Sequence, residues 1–516
     1  MDIDFTRKLF TEILTRCHNI IRDNDKLSPE AAFDETSKIL FVKIQRERAE
    51  GKVYTMSDYL QEKEDYQEKY VIDNVPYYQF LFRQTKDKYR HEEIFDDHDA
   101  IKIREHSFEA IIHCLEALNL ATTEDDVKGI AFESFLGKTF RGELGQFFTP
   151  RVVVNFMVSV LRPTEDMLVC DPCCGSGGFL ISVFDEIRKQ IEADSRASEG
   201  EKKKRIRKLS TKCLFGVDAN ARMARVAKMN MIMHGDGHTC VYHHDGLLNV
   251  NGVYENRFDL ILTNPPFGSR VNKSLLISSA ECFTDEEKRR RNIEEYGDSY
   301  INAMSYIENN IGTPLLSLFE TGKYTNITEV LFLERCLNLL KPGGRMGIVL
   351  PDGVLSNESL HMIREYIESR ARILFVVSLP NDVFLSSGAA VKSSIMFFRK
   401  FEVEEEARYK EVLEEETNTI LESRGDMLHA LKKELKNKTD KKERSSQREQ
   451  INKLELQMHE EIINALKKRL NYKIARAIIG RDRGNVSSAF DLETELKNLA
   501  KEYRCFCENC DGRGND

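Results

Sequence analysis

Four consecutive residues, Asn264, Pro265, Pro266 and Phe267, combine polar, rigid and aromatic side chains directly after the apolar run FDLILT. That run predicts a buried strand, which would deliver the four residues to the carboxyl edge of a sheet. The prolines fix φ and lack N–H donors, so the Asn264 side-chain oxygen and the Pro265 carbonyl can accept both hydrogens of an exocyclic amine. Phe267 offers a flat face for stacking a base. The pattern predicts chemistry on a planar amine, and its alternative is a simple turn after a core strand.

A glycine-rich loop lies upstream, in MLVCDPCCGSGGFL at 167–180. An apolar run ends at Asp171, and Gly175, Gly177 and Gly178 then lead into a predicted helix, so the backbone can approach a ligand closely. The loop lacks the Lys-Ser/Thr of a phosphate-binding loop, and a carboxylate at the strand end would repel a pyrophosphate. A cationic group suits it better, such as the amino group or sulfonium of S-adenosylmethionine. Taken alone, the loop also fits a nucleotide or a tight turn.

Two further acids follow at predicted turns. Asp218 ends the next apolar run, in LFGVDAN, where a carboxylate can bind both hydroxyls of a ribose or can cap the following helix. Its position one strand after the glycine-rich loop favours the ribose. Asp245, in HHDGLL, can accept a hydrogen bond from an adenine amine or can form an ordinary Asp-Gly turn.

The elements that must position these residues fall into three zones. Residues 1–135 are polar with apolar positions at helical spacing, which predicts a helical domain. In 136–400, short apolar runs that end in Gly, Pro, Asn or Asp alternate with helical stretches, which predicts a doubly wound α/β domain. Its last two runs are joined by a short loop containing Gly388 and predict an antiparallel hairpin. Residues 401–516 are strongly charged, and their Leu and Ile spacing fits either a coiled-coil arm or a solvated helix that packs locally.

Composition narrows the classes of protein. The 516 residues carry a net charge of −9, an acidic balance that argues against tight autonomous DNA binding and fits a subunit whose partner supplies much of the grip. No apolar run approaches the roughly 20 residues that span a bilayer. The start, MDIDFTRKLF, does not resemble a secretion signal. The 12 scattered cysteines indicate reduced thiols, so we expect a cytoplasmic protein.

Taken in order, a set of motifs resembles the modification subunit of type I restriction–modification enzymes over about residues 130–400. The motifs are GQFFTPR, DPCCGSGGFL, GVDAN, NPPFG, LKPGGRMGIVLPDGVL and SLPNDVF followed by GAAVKSSIMFF. Their order is similar to the γ class of amino-methyltransferases. The resemblance implies a seven-stranded class I S-adenosylmethionine-dependent sheet and adenine-N6 methylation of double-stranded DNA with the target base flipped out. It also implies a separate specificity subunit, a restriction subunit in the full complex, and two modification subunits per specificity subunit.

The resemblance also assigns residues. It places GQFFTPR at the methionine end of the cofactor, assigns the loop contacts to Asp171, Ser176, Gly177 and Gly178, and assigns the ribose contact to Asp218. The residue patterns described above add Gly175, Asp245 and Asn264. The cofactor-binding candidates are Gln146, Phe147, Phe148, Thr149, Pro150, Arg151, Asp171, Gly175, Ser176, Gly177, Gly178, Asp218, Asp245 and Asn264, and the catalytic candidates are Asn264, Pro265, Pro266 and Phe267. One departure is Cys173, where the family usually has Ala, which should pack similarly.

Other features stay open. An insertion at 269–327 includes the basic cluster Lys288–Arg291, which can touch phosphate but, like Lys202–Lys208, more often forms a solvated face. Cys505, Cys507 and Cys510 have a spacing that can bind zinc, but three ligands without an obvious fourth do not make a closed site, so no metal is assigned.

Two alternatives to a DNA methyltransferase remain. Asn-Pro-Pro-aromatic motifs also serve enzymes that methylate a glutamine amide in protein or a base amine in ribosomal RNA, although GQFFTPR and the helical N-terminal region weigh against them. A non-enzymatic assembly scaffold would predict erosion of the glycine-rich loop or NPPF, and both are intact. The resemblance further suggests that the N-terminal helices help clamp DNA and that the C-terminal arm packs on the specificity subunit. No helicase phosphate loop occurs, and too little β-rich sequence follows residue 400 for target-recognition domains.

Overall fold

The first part of the chain, before the first strand of a large sheet, is helical. The computed structural model describes residues 3–69, 75–90, 94–120, 125–140, 148–235, 240–282, 286–384, 391–437, 441–470, 474–479 and 492–511. The helices before the first strand are α1 (Ile3–Asp25), α2 (Pro29–Glu50), α3 (Met56–Lys69), α4 (Tyr77–Lys88), α5 (Glu105–Leu115), α6 (Asp125–Phe140) and α7 (Arg151–Leu161).

The start and end of α2 show how the sequence sets these helices. The Ser28 side chain caps its first turn by accepting a hydrogen bond from the Ala31 N–H, and Pro29 occupies its first position. The helix ends at Gly51, whose φ of +69° suits a glycine. The buried aromatic side chains of these helices form one core, which continues onto α10 (Ala221–Met233) through Met223 and other residues. The helical region is therefore seated on an element of the sheet domain.

The sheet contains the strands β1 (Val169–Asp171), β2 (Leu214–Asp218), β3 (Cys240–His243), β4 (Phe258–Thr263), β5 (Leu340–Pro351), β6 (Ala371–Ser378), β7 (Ser393–Lys400) and β8 (Ala475–Ile478). Their order is β3-β2-β1-β4-β5-β7-β6-β8, with β1 to β5 parallel and β7 antiparallel to both β5 and β6. The first seven strands confirm the predicted α/β sheet and its closing hairpin, although the loop residues 385–390 of that hairpin, including Gly388, lie outside the described residues.

Successive strand residues pack on opposite faces of the sheet, so both faces need a covering layer. Val169 and Leu260 belong to the core under α7 and α8 (Gly178–Glu192), whereas Cys170 and Ile261 belong to the core on the other face. The remaining helices up to residue 368 are α9 (Glu199–Lys212), α11 (Glu286–Tyr296), α12 (Asp298–Glu308), α13 (Thr328–Leu339), α14 (Asp352–Ser356) and α15 (His361–Glu368). The apolar runs read in the sequence are thus strands buried on both faces.

The charged C-terminal region forms a helical hairpin and then returns to the sheet. Ion pairs between α16 (Val403–Asn437) and α17 (Lys441–Leu470) join Arg469 to Glu415 at 2.7 Å and Lys432 to Glu455 at 2.7 Å, so the helices run antiparallel. The hairpin of α16 and α17 also contacts α15. It therefore has features of a coiled-coil arm and of a helix that packs locally.

Strand β8 then pairs in parallel with β6, and α18 (Leu492–Asp511) packs on α7. The ring of Tyr503 stacks on Phe375 with centroids 4.5 Å apart. The sequence did not predict this eighth strand, and the boundaries proposed at 135 and 400 stay predictions. Within the described residues, no helix is both long and apolar enough to cross a bilayer.

Candidate active site at the carboxyl edge of the sheet

The parallel register brings the ends of β1, β2 and β4 to one edge of the sheet. Val169 of β1 lies opposite Leu214 of β2 and Leu260 of β4, so the strand ends lie side by side. Asp171 and Asp218 end the first two strands, and Asn264 follows the third. Three of the residues that the sequence singled out separately therefore belong to one site.

Asp171 is 1% exposed, and its carboxylate oxygen Oδ1 accepts hydrogen bonds from the Thr263 hydroxyl at 2.7 Å and the Cys173 N–H at 3.2 Å. Burial, opposed by these two bonds, raises the pKa of Asp171 to about 7. Among the described contacts Oδ2 receives no hydrogen bond, so this oxygen remains for a ligand. Cys173, at the departure from the family pattern, contacts the Thr263 hydroxyl through its sulfur at 2.8 Å.

The glycine-rich loop turns from β1 into α8 as predicted. Gly175 and Gly177 have φ values of +53° and +82°, in the left-handed region that favours glycine. Gly177 is the N-cap of α8, and Gly178 is its first residue. The carbonyl of Ser176 accepts a hydrogen bond from the buried Asn230 side chain at 3.0 Å, which anchors the loop to α10. These contacts fix the path of the backbone where a ligand would approach it.

Asp218 is bound by the loop rather than by the helix that follows. Its Oδ2 accepts the Gly175 N–H at 2.9 Å and its Oδ1 accepts the Asn220 N–H at 2.8 Å. Asn220 itself caps α10, through bonds from the N–H groups of Arg222 and Met223. The helix-capping alternative for Asp218 is therefore wrong, and each carboxylate oxygen keeps acceptor capacity for a hydroxyl. Burial raises the pKa of Asp218.

Asp245 forms the turn that the sequence offered as its alternative role, since its Oδ1 accepts the Leu247 N–H at 2.9 Å. The next residue, Gly246, lies so close to β1 that an added Cβ would stand 1.9 Å from the Pro172 carbonyl oxygen. The turn thus presses against the loop that follows Asp171. The buried Arg335 side chain holds it there by donating to the Gly246 carbonyl at 3.1 Å and the Leu248 carbonyl at 2.7 Å.

A cavity of about 690 Å³ lies behind this turn, beside α12 and α13. Asn249, Tyr254, Arg257 and Arg335 are among its lining residues. None of the predicted site residues lines it. We therefore place the candidate site at the polar strand ends, where the chemistry-bearing groups converge, and not in this cavity.

The Asn-Pro-Pro-Phe turn carries the main polar feature of the site. The Asn264 side-chain nitrogen Nδ2 donates to the Thr149 hydroxyl at 2.9 Å, while its oxygen Oδ1 is buried and has no partner among the described residues. Pro265 is buried, whereas Pro266 is exposed. Phe267 is partly buried, edge-on to Phe384 with centroids 6.2 Å apart. The oxygen of Asn264 is thus an acceptor, unused in the described contacts, that a planar amine could occupy.

The FTPR part of GQFFTPR lies beside this turn, and Gln146 and Phe147 lie outside the described residues. Thr149 reaches Asn264, and Pro150 begins α7. Phe148 packs against the helical core. Arg151 instead bonds two carboxylates, Glu133 at 2.9 Å and Asp185 at 3.2 Å. Thr149 is thus the member of this group that the structure brings to the Asn264 side chain.

Sequence reasoning missed the buried charges of α13. Glu329 accepts the Gly268 N–H, directly after Phe267, with both oxygens at 3.2 Å. Glu334 accepts the Thr321 hydroxyl at 2.6 Å, and Arg335 holds the Asp245 turn. All three are no more than 5% exposed. The available signal was three charges within the apolar run EVLFLERCLNLL, which a surface helix would place on its solvent side.

The basic clusters and the cysteine tail show ordinary contacts where they are described. Arg205 pairs with Glu165 at 2.7 Å and Lys208 with Asp166 at 3.0 Å. Arg289 pairs with Glu308 at 3.2 Å. Cys505 is exposed, and the side chain of Cys510 lies outside the described residues. The described part of the chain contains no group of three side chains arranged to hold a metal ion.

A seven-stranded sheet of this order, with its polar loops at one edge, defines the methyltransferase class of α/β folds. The family model described as N-6 DNA Methylase matches residues 123–472, and the chain belongs to that family. The modification subunit assigned to a type I restriction enzyme of Vibrio vulnificus YJ016 has a similar fold, with a TM-score of 0.52 and 20% identity over 76% of this chain and 81% of that one.

Two curated relatives match the central region. The chain is 28% identical over 261 residues to the type I restriction enzyme EcoEI methylase subunit of Escherichia coli, covering 50% of this chain and 43% of the relative. It is 34% identical over 284 residues to the MjaIX methylase subunit of Methanocaldococcus jannaschii, covering 53% and 41%. The matches therefore span less than half the length of these relatives. They confirm the family that the motifs indicated.

Proposed function

We propose that the chain is the adenine-N6 DNA methyltransferase subunit of a type I restriction–modification complex. The observation that carries the proposal is the Asn264 side chain, whose buried oxygen has no partner among the described residues while its nitrogen donates to Thr149. An unsatisfied buried acceptor costs roughly 1–3 kcal/mol, so a site that retains one has a use for it. A donor from a bound ligand would remove that cost.

An exocyclic amine is the donor that fits. Because the Thr149 hydroxyl accepts from Nδ2, the orientation of the amide is set, and Oδ1 is left as the unused acceptor in the described contacts. Oδ1 and the Pro265 carbonyl together can accept both amine hydrogens, which holds the nitrogen lone pair out of conjugation with the ring. Phe267 can stack on a base that has left the duplex. Catalysis then consists mainly of positioning and exclusion of water.

S-adenosylmethionine is the cofactor that suits the other half of the edge, where, when bound, it would supply an electrophilic methyl group. The Oδ2 atom of Asp171 suits its cationic methionine end, and the two oxygens of Asp218 suit its ribose hydroxyls. Asp245 suits its adenine amine, and the Gly175–Gly178 turn provides the close backbone approach. The orphaned Oδ1 of Asn264 lies at the neighbouring strand end, where the target base belongs.

The partners follow from the relatives, which are named as methylase subunits of type I restriction enzymes. We propose a specificity subunit that selects the double-stranded DNA target, two modification subunits on each specificity subunit, and a restriction subunit in the full complex. The net charge of −9 supports a partner that supplies much of the DNA affinity. A cytoplasmic location is proposed with this function, and the free thiols of the described cysteines support it.

A tritiated-methyl transfer assay tests the proposal. The full chain, alone and with the specificity subunit encoded beside it, is incubated with unmethylated DNA, and the product is digested to nucleosides. We expect label on N6-methyladenine that depends on the partner and disappears in Asn264→Ala. Asn309→Ala, at an exposed asparagine that caps the end of α12, should retain activity. Label in protein or ribosomal RNA but not in DNA would refute the proposed substrate.

A further inference from the structure

The insertion that follows Phe267 begins as a two-stranded segment beside the target-base motif. Here the "basic ribbon" means residues 268–276 and 321–327. The Val271 N–H donates to the Asn326 carbonyl at 2.9 Å, and the Asn326 side chain returns a bond to the Val271 carbonyl at 2.8 Å. Arg270 pairs with Ile327 as an antiparallel bridge. The ribbon therefore begins directly after the Asn-Pro-Pro-Phe turn.

The ribbon carries positive charge only. Neither stretch contains Asp or Glu, and Arg270, Lys273 and Lys323 are exposed. Arg270 donates to the Asn326 side-chain oxygen at 3.1 Å. Within the part of the chain that the structure describes, no carboxylate lies within 4.0 Å of the three cationic groups.

Paired lysines on another element provide a comparison for the ribbon. On α9, Lys208 pairs with Asp166 and Lys212 with Glu295, at 3.0 and 2.8 Å. In a chain of net charge −9, acids are abundant enough to neutralise most cations. The buried carboxylate of Glu329 interacts electrostatically with Arg270 without forming an ion pair with it. Three exposed cations on the segment that starts after Phe267, with no ion pair among the described residues, fit a polyanionic partner.

The neutral side chains of the ribbon suit nucleic acid as well. Tyr324 is 56% exposed, and Leu275 and Leu276 also lie on the surface. Asn272 and the serines beside it supply amide and hydroxyl groups of the kind that contact phosphate and sugar. An exposed tyrosine among cations and amides can lie against a sugar or an unstacked base.

Buried carboxylates fix the ribbon at both ends. Glu329 holds the Gly268 N–H, and Glu334 holds the Thr321 hydroxyl and N–H. Both carboxylates project from α13, which packs on the sheet. The charged surface therefore keeps a defined position relative to Asn264, which lies four residues before Gly268 in the chain.

From these observations we infer that the basic ribbon binds the DNA backbone beside the target base. The inference rests on the proposed function for its substrate, but it assigns a separate surface to that substrate. Arg270 and Lys273 neutralise phosphates, and the ribbon thereby fixes the duplex at the point where the base leaves it. Each neutralised phosphate adds about 0.9 to the slope of log affinity against log salt concentration.

The test uses the full chain and a fluorescein-labelled 20-base-pair DNA duplex, with anisotropy measured between 50 and 200 mM salt. Arg270→Ala with Lys273→Ala should weaken binding and reduce the salt slope by about 1.8, the loss expected for two phosphates. The matched control, Lys208→Ala with Lys212→Ala, removes the same charge from paired positions and should leave the slope unchanged. Equal slopes in all three proteins would overturn the inference, as would a wild-type chain that binds no duplex at 50 mM salt.

Two further measurements separate this inference from the proposed function. Calorimetric titration with S-adenosylmethionine should give the same affinity in the wild type and the ribbon variant. If the wild type binds no S-adenosylmethionine but the ribbon variant still loses salt slope, the proposed function fails and the DNA surface stands. If Leu275→Ser with Leu276→Ser changes the oligomeric state while the charge variant retains its slope, the ribbon is a protein contact and the inference is wrong.

Discussion

The cofactor half and the target half of the strand-end edge satisfy their polar groups in opposite ways. In the cofactor half, the two oxygens of Asp218 each accept a backbone N–H, at 2.9 and 2.8 Å, and Oδ1 of Asp171 accepts two bonds. In the target half, Oδ1 of Asn264 is buried and has no partner in the part of the chain that the structure describes. Both carboxylates of the first half are anchored before any ligand binds, with Oδ2 of Asp171 left for one, whereas the only side-chain acceptor of Asn264 is unused in the described contacts.

This contrast separates binding from catalysis. Groups that are already hydrogen-bonded hold their positions and contribute to affinity through their remaining lone pairs. A group held in place with its acceptor unused gains most when the reacting amine presents its hydrogens, so its contribution concentrates in the transition state. Substitutions in the two halves should therefore change different kinetic constants.

The largest effect is expected at Asn264. Asn264→Ala removes the orphaned acceptor and should lower kcat by on the order of a hundredfold or more, the scale seen when one preorganised hydrogen-bonding group is removed from a transition state. The Kd for S-adenosylmethionine should change little, because the cofactor half stays intact. Single-turnover methylation and calorimetric titration would measure the two quantities. A large loss of cofactor affinity with normal kcat would reverse the roles assigned to the two halves.

The next effect concerns Asp218. In Asp218→Asn one oxygen becomes an amide nitrogen, which cannot accept from a hydroxyl. Losing a hydrogen bond to a charged group costs about 1.5–3 kcal/mol, so the Kd for S-adenosylmethionine should rise roughly 10- to 100-fold. The kcat at saturating cofactor should remain near that of the wild type. Asp245→Asn is the comparison, since an amide oxygen can still accept the single adenine-amine hydrogen bond proposed there, so the Kd should change less. Equal losses in both variants would argue against a ribose contact at Asp218.

The convergence of these residues could be predicted from sequence because parallel strands end at a common edge. Asp171, Asp218 and Asn264 each follow an apolar run, and the runs alone place them together. Strand β8 could not be predicted in this way, since its four residues pair with β6 about a hundred positions earlier. Its short sequence, ARAI, has no pattern strong enough to specify a partner.

The residues of α13 that hold the loops of the site could not be predicted for a related reason. Glu329 and Arg335 lie within one apolar helix, but their partners, Gly268 and Gly246, are 61 and 89 positions away. A charged residue within an apolar helix indicates that its side chain has a buried hydrogen-bond partner, but the sequence does not identify that partner. Only the packing of α13 against the sheet brings these loops within reach of its side chains. These supporting contacts are therefore tertiary features.

A smaller, pH-dependent effect is expected at Asp171, whose pKa is raised to about 7 by burial. Below pH 7 the carboxyl holds its proton, and a cationic ligand that requires the ionised form must displace it. Affinity for S-adenosylmethionine should therefore rise up to tenfold per pH unit as the pH approaches 7 and then level off. Titrations from pH 5.5 to 8.5 would show this, and Asp171→Asn should flatten the profile. A profile that is already flat in the wild type would exclude an ionised Asp171 as the partner of the cation.

The same shift has a consequence for stability. Because the pKa of Asp171 in the folded state lies above its ordinary value of 3.8, the folded state retains the proton that the unfolded state releases between about pH 4 and pH 7. This carboxyl therefore lowers the free energy of unfolding as the pH rises through that window. The free energy of unfolding can be measured by denaturation at pH 4 and pH 8. It should decrease less between these two pH values in Asp171→Asn than in the wild type. A difference of the opposite sign would mean that other contacts keep Asp171 ionised.

The smallest effect is expected at Thr149, whose hydroxyl orients the side chain of Asn264. Thr149→Val keeps the shape of the side chain but removes the oxygen that accepts from Asn264 Nδ2. The amide can then rotate, so Oδ1 points toward the amine only part of the time, and kcat should fall by several fold while the Kd values for cofactor and DNA stay constant. Thr149→Ser restores the acceptor and should recover most of the rate. Recovery by serine would identify Thr149 as a positioning residue for Asn264. If valine and serine behave alike, the orientation of Asn264 is set by the Asn-Pro-Pro backbone, and the unpaired oxygen is fixed by the turn rather than by Thr149.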